Sequence, residues 1–193
     1  MSAIQMIRMI FDVMLKPKQK IILTNFPDGN VIDIGGGGEG VIAQVGGHRV
    51  IAIDKRISEI YEARGKGLSA TWLVSDGMEL PFENDSFKVA TAFFSFMYMS
   101  RAVISGVLKE THRVLNKNGE LLIWDVKIPP RKKVFYFSLQ VSIPKNRLIK
   151  TIYGVRGKDQ SAEKMCEWIE EVGLEPKVIT NNKHWYLIRA TKE

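Results

Sequence analysis

The stretch Val31-Ile32-Asp33-Ile34-Gly35-Gly36-Gly37-Gly38-Glu39-Gly40 decides how this chain reads. Val31 to Ile34 is a short run of β-branched residues holding one acid, the pattern of a buried strand. It stops at four consecutive glycines, and Gly35 to Gly40 satisfies G-x-G-x-x-G. Residues without a Cβ let the chain turn sharply and let a ligand come close to the backbone. A brief helix is predicted from about Gly40 to Val45, so the pattern fits a strand–turn–helix loop that holds a cofactor. A glycine-rich turn with no ligand is the plain alternative.

Outward from this loop the pattern repeats. Val50 to Ile53 reads as a strand ending at Asp54, and Ile57–Ala63 as a helix. Thr71–Val74 is a third strand ending at Ser75-Asp76, and the unbroken apolar run Val89–Phe96 is a fourth. Val103, Val107, Leu108, Thr111, Val114 and Leu115 mark a helix that stops at Asn116-Lys117-Asn118-Gly119, before a fifth strand at Leu121–Val126. Strands alternating with helices predict a parallel sheet covered on both faces. Near the C-terminus, Met165, Trp168, Ile169 and Val172 line a helix closed by Gly173. Val178–Thr180 and Trp185–Ala190 follow, joined by a link too short for a parallel crossover, so they pair antiparallel. The fold class is α/β: a doubly wound, Rossmann-like, mostly parallel sheet with a C-terminal antiparallel hairpin.

The acids at the strand ends discriminate between cofactors. A pyrophosphate is repelled by a carboxylate beside its loop, and Asp33 stands two residues before Gly35. An acid there suits a ligand that brings a cation, such as the ammonium of a methionine moiety. Asp54, about twenty residues on, suits ribose hydroxyls under either reading.

With these residues in view, the sequence resembles the class I S-adenosylmethionine-dependent methyltransferases from about Val31 to Thr191. Val31–Gly37 is similar to their first motif and Ala52-Ile53-Asp54 to their second. Ser75-Asp76-Gly77-Met78-Glu79-Leu80-Pro81-Phe82, with Asp85-Ser86-Phe87, resembles the third-strand segment of the subgroup acting mostly on small molecules. Leu115–Leu121 resembles the turn before the fifth strand. The resemblance implies a seven-stranded sheet and S-adenosylmethionine as cofactor. It implies that Asp33 serves the methionine end and that the loop passes close at Gly35, Gly36 and Gly37. Asp54, with Lys55 beside it, would take the ribose, and Asp76 the adenine amino group. Gly77 and Met78 would border the adenine ring, and Phe93 and Phe94, with Met97, would make the pocket apolar. The family usually has glycine where Glu39 stands and an acid where Lys88 stands. Phe93–Tyr98 also lacks the Asn/Asp-Pro-Pro-aromatic signature of enzymes that methylate nucleobase amino groups.

Methyl transfer from a sulfonium is an in-line displacement that needs alignment and exclusion of water more than acid–base help. No catalytic residue stands out. Tyr98 and Asp125, the polar groups nearest the ends of the fourth and fifth strands, are the candidates to orient or deprotonate an acceptor, or else a core aromatic and a strand-end cap.

The bulk numbers bound the rest. A chain of 193 residues is enough for one domain. The expectation is a single domain, with N-terminal cap helices over residues 1–25 and a basic, β-rich insertion at 126–158. Ile4, Ile7, Ile10, Phe11, Met14 and Leu15 share one helical face, and a second short helix is predicted to run to about Thr24. The net charge of +7 is concentrated: residues 126–158 hold nine Lys or Arg and no Asp or Glu. Val134–Ile143 and Leu148–Val155 read there as a hairpin. The resemblance implies that this insertion and the N-terminal helix cover the substrate, and its charge admits a nucleic acid or another anionic partner. One cysteine, three scattered histidines, no export signal and no run of about twenty apolar residues point to a cytoplasmic protein with no metal cluster and no membrane partner. The leading reading is transfer of a methyl group to a small or anionic acceptor. The alternatives are a nicotinamide-dependent oxidoreductase and a non-catalytic, cofactor-binding or RNA-associated protein.

Overall fold

The computed structural model describes residues 18–24, 27–128, 134–156 and 159–193. They divide into two compact units: residues up to Asn25 with Ile128–Asp159, and Phe26–Lys127 with Gln160–Glu193. The stretch 4–15, read above as a helix, lies outside the described residues.

The larger unit begins with strand β2 (Val31–Ile34), the short helix α1 (Val41–Gly46) and strand β3 (Val50–Asp54). Helix α2 (Ile57–Gly65), strands β4 (Thr71–Val74) and β5 (Phe87–Phe93), and helix α3 (Arg101–Val114) follow. Strand β6 (Leu115–Val126), helix α4 (Ala162–Glu170) and strands β9 (Leu174–Asn181) and β10 (Trp185–Lys192) complete it. Seven strands form one sheet in the order β4-β3-β2-β5-β6-β10-β9. The first five are parallel, and β10 pairs antiparallel with both β6 and β9. This is the expected doubly wound sheet with its antiparallel hairpin.

Period-two alternation sorts the strands' side chains between two faces. Ile32, Ile34, Ile53, Ala90, Ala92, Leu121, Ile123, Tyr186 and Ile188 share one cluster with Ile104, Val107 and Leu108 of α3 and Ala162, Met165 and Ile169 of α4. Ser100 and Ser161 start those two helices, each accepting the backbone N–H three residues on. Val31, Asp33, Ala52, Thr91, Phe93 and Trp124 alternate with that set and so face the other side. β5 stops at Phe93 and not at Phe96 as expected, because Phe94 takes a positive φ of 52° and Phe96–Tyr98 coils into a 3-10 turn.

The smaller unit holds strand β1 (Gln19–Ile22) and the hairpin β7 (Val134–Ile143) and β8 (Arg147–Arg156), in the order β1-β7-β8. β7 and β8 are antiparallel, as the sequence predicts, and β1 runs parallel to β7. The cap helix expected to reach Thr24 is therefore corrected: Gln19–Ile22 is a strand. Ile21 and Leu23 are buried while Lys20, Ile22 and Thr24 are exposed. That is the alternation of a strand, carried by β-branched isoleucines, in a stretch whose lysines and glutamine favour helix.

Candidate functional site at the C-terminal edge of the parallel strands

The chain leaves β2 for β3 and β4 on one side and returns to β5 on the other, so the sheet has its topological switch point between β2 and β5. Open α/β sheets bind ligands in the crevice outside such a point, at the carboxyl ends of the strands. Asp33 and Thr91 are register partners across it. Thr91 donates its hydroxyl to Asp33 Oδ1 at 2.7 Å, and both side chains are buried. Burial pushes the Asp33 carboxyl up from its ordinary 3.8 to about 7; the Thr91 hydrogen bond works against this, and the charge of Asp54 adds to it.

The glycine loop lies directly on these acids. A Cβ on Gly36 would come within 2.3 Å of Asp33 Oδ2, and one on Gly37 within 3.1 Å of Asp54 Oδ2 and 2.5 Å of Glu59 Cβ. Only backbone fits there. The loop is pinned by Gly36 N–H to the Ile53 carbonyl and Gly38 N–H to the Glu59 carbonyl, each at 2.9 Å. Gly35 stands against Ser95, whose hydroxyl donates to the Ile34 carbonyl at 2.8 Å. Glu39 turns to Lys66, whose ammonium also holds the Gly38 carbonyl at 2.8 Å. α1 has six residues, under two turns, and thus only a small dipole to offer a pyrophosphate.

Asp54 ends β3 and accepts from Arg56 N–H at 2.9 Å. At the end of β4, Asp76 Oδ1 accepts from Met78 N–H at 3.0 Å while Oδ2 faces the exposed Lys55 ammonium at 3.5 Å. The Met78 amide first, and then Lys55, hold the Asp76 carboxyl below its ordinary range. Gly77 packs against Val107 and Ile34, and Met78 lies over Gly106 of α3, where a Cβ would be 2.8 Å from its methyl carbon. Asp33, Asp54 and Asp76 thus stand at the ends of three successive strands.

Phe93 packs edge-on against Phe94 at 4.9 Å and tilted against Trp124 at 5.7 Å. The positive φ of buried Phe94 is a strained conformation of the kind that gathers at functional sites. Met97 is buried, and Tyr98 is half-exposed at the end of the 3-10 turn. Asp125 lies elsewhere. It follows Leu121 and Ile123 at two-residue spacing and so shares their face, toward α3 and α4 and opposite to Asp33. There it is the register partner of buried Tyr186, whose phenol is pushed well up by burial and then by the Asp125 charge.

Sequence reasoning missed several residues. Thr91 and Ser95 read as ordinary strand residues until their partners are known. Arg113 holds the carbonyls of Leu80 and Phe82, while Glu110 accepts Leu80 N–H and pairs with Arg113, so α3 fixes the chain that follows Asp76. Gly106 carried a signal: a glycine inside a helix costs about 1 kcal/mol relative to alanine, so it implies a packing reason.

Comparison with known proteins agrees with this fold. Residues 31–119 match the family model of a methyltransferase domain. The chain is 32% identical over 92 residues to the ubiquinone/menaquinone biosynthesis C-methyltransferase of Dinoroseobacter shibae, covering 46% of this chain and 36% of that protein. It is also 32% identical over 84 residues to the human mitochondrial 2-methoxy-6-polyprenyl-1,4-benzoquinol methylase, covering 40% and 25% respectively. The chain thus matches only about a third or less of the length of these curated relatives. Among solved structures it resembles an S-adenosylmethionine-dependent methyltransferase from Aquifex aeolicus, with TM-score 0.62, 20% identity and coverage of 86% and 82%. A [4+2]-cyclase shares the fold at TM-score 0.61, 16% identity and coverage of 86% and 75%.

Proposed function

We propose that this chain is a class I S-adenosylmethionine-dependent methyltransferase that transfers a methyl group to a small, largely apolar acceptor. The observation that carries the reading is the row of strand-end acids, Asp33, Asp54 and Asp76, with glycine backbone laid on the first two. An acid beside the loop disfavours a pyrophosphate and favours a cationic ligand, which argues against the nicotinamide alternative.

In this reading Asp33 holds the methionine ammonium, Asp54 the ribose hydroxyls and Asp76 the adenine amino group. Gly35, Gly36 and Gly37 keep the backbone close, Lys55 orients Asp76, and Gly77 and Met78 border the base. When bound, S-adenosylmethionine supplies an electrophilic methyl group. Phe93, Phe94 and Met97 keep water from the reacting end, since their side chains are apolar and buried. Tyr98, half-exposed beside the strand ends, is the group proposed to orient an acceptor. Asp125, buried on the opposite face, is assigned a structural part. The names of the curated relatives and the aromatic cluster Phe93–Phe94–Trp124 both favour a ring compound of the quinol class as acceptor.

The test is turnover: S-adenosylmethionine with a short-chain quinol should yield a methylated ring and S-adenosylhomocysteine, and Asp33→Ala should lose the activity. Binding of the cofactor without turnover on any phenol or quinol would leave the fold reading and remove the acceptor.

A further inference from the structure

The three-stranded sheet has one face that nothing among the described residues explains. Along β7, Phe137, Leu139, Val141 and Ile143 are buried, as are Ile21 of β1 and Ile149 of β8. Alternation puts the intervening residues on the opposite face, and the register aligns them in rows. Ile22, Ser142 and Leu148 form one row, Lys20, Gln140 and Lys150 the next, and Ser138 and Ile152 a third. Ile22 is 75% exposed, Ile152 56% and Leu148 49%, and Lys20 and Lys150 are exposed beside them. Strand geometry gathers these five side chains into a patch of roughly 10 by 13 Å. No carboxylate occurs in residues 126–158 or 18–24, and neither lysine forms an ion pair among the described residues.

Exposed aliphatic side chains interleaved with lysine, without a single acid, match a surface that is apolar beneath and anionic on top. We propose that this face docks on an anionic phospholipid bilayer, with Ile22, Leu148 and Ile152 entering the interfacial layer and Lys20 and Lys150 meeting the headgroup phosphates. A nucleic acid would use the lysines but has nothing to offer three aliphatic side chains, since binding to its bases runs through stacking on rings. A second copy seated on the same face would bury the aliphatics but would bring a basic surface against itself. No helix among the described residues is long and apolar enough to cross a membrane; the attachment proposed is peripheral, made by the sheet face itself. It departs from the expectation of no membrane partner, which rested on the lack of a spanning segment. The inference does not depend on the methyl-transfer reading.

Co-sedimentation of the full chain with sucrose-loaded vesicles tests it. Vesicles of phosphatidylcholine mixed with phosphatidylglycerol should carry the protein down at low salt, pure phosphatidylcholine vesicles should not, and high salt should release it. Lys20→Glu with Lys150→Glu should weaken partitioning by at least roughly thirtyfold, and Ile22→Ser with Leu148→Ser and Ile152→Ser should abolish it. Cofactor affinity and melting temperature should hold in both variants. Should the triple serine variant melt early, the lysine pair, at exposed positions, carries the test. The proposal is overturned if wild-type protein stays in solution with anionic vesicles, if the lysine variant sediments like wild type, or if a short RNA binds and is lost with the lysines while vesicles are ignored. It is equally overturned if the serine changes abolish self-association and leave vesicle binding intact.

Discussion

The strand-end acids of the seven-stranded sheet and the lysines of the three-stranded one use charge in opposite ways. Asp33 is withdrawn from water, given one hydrogen-bond donor and set against backbone that tolerates no side chain. Lys20 and Lys150 stand in solvent, spaced by strand register. A buried charge acts at full strength, is barely screened and titrates far from its ordinary range. Exposed charges act weakly and additively and fade with salt. The first arrangement can read one ligand atom; the second can read only a surface.

Asp33→Asn should separate the two regimes most sharply. The folded protein keeps the Asp33 proton from about pH 4 to about pH 7, where the unfolded chain has released it. Wild-type stability contributed by this group is therefore complete below about pH 4 and falls as pH rises to about 7, by up to about 4 kcal/mol. The asparagine variant carries no such penalty. Denaturant unfolding should find it more stable than wild type above pH 7 and equal near pH 4, regardless of salt, while its cofactor affinity drops. Equal stability at both ends would mean that Asp33 is solvated and that the contrast is false.

Asp54→Ala comes next. Loss of a hydrogen-bonding carboxylate should weaken cofactor binding by about 1.5–3 kcal/mol with the fold intact. Collapse of stability with unchanged affinity would make Asp54 a support for Gly37 and no more. Thr91→Val keeps the shape but removes the donor to Asp33, so calorimetry at neutral pH should show binding weaker by about 1–2 kcal/mol, and recovering as pH rises. Thr91→Ser should restore both affinity and pH profile, which a packing defect would not. Asp76→Ala should have the smallest effect, about 1 kcal/mol or less, and its size should shrink in high salt because that carboxylate is half-exposed. An effect as large and as salt-resistant as that of Asp54 would move Asp76 into the buried class.

Much of the larger unit was legible because its signals are local. Val31–Ile34 into Gly35 and the short link between β9 and β10 dictate parallel strands, a tight loop and a closing hairpin from composition and spacing alone. What stayed hidden depends on distant partners. Thr91 gains its meaning from Asp33, 58 residues away, and Lys66 from Gly38, 28 residues away. Asp125 sits at the expected end of its strand, yet its face is set by which neighbours α3 and α4 cover, a matter of packing. At residues 19–22 lysine and glutamine favour helix locally, whereas pairing with β7 makes the segment a strand.

Titration calorimetry with S-adenosylmethionine across the pH range, in buffers of different ionisation heat, tests the central claim most directly. The account predicts one site per chain, affinity rising about tenfold per pH unit up to about pH 7 and level above it. It also predicts release of up to one proton on binding below pH 7, as the ligand's cation ionises Asp33. Folded protein that takes up no cofactor at millimolar concentration, or binds it with no pH dependence and no proton release, would contradict the account.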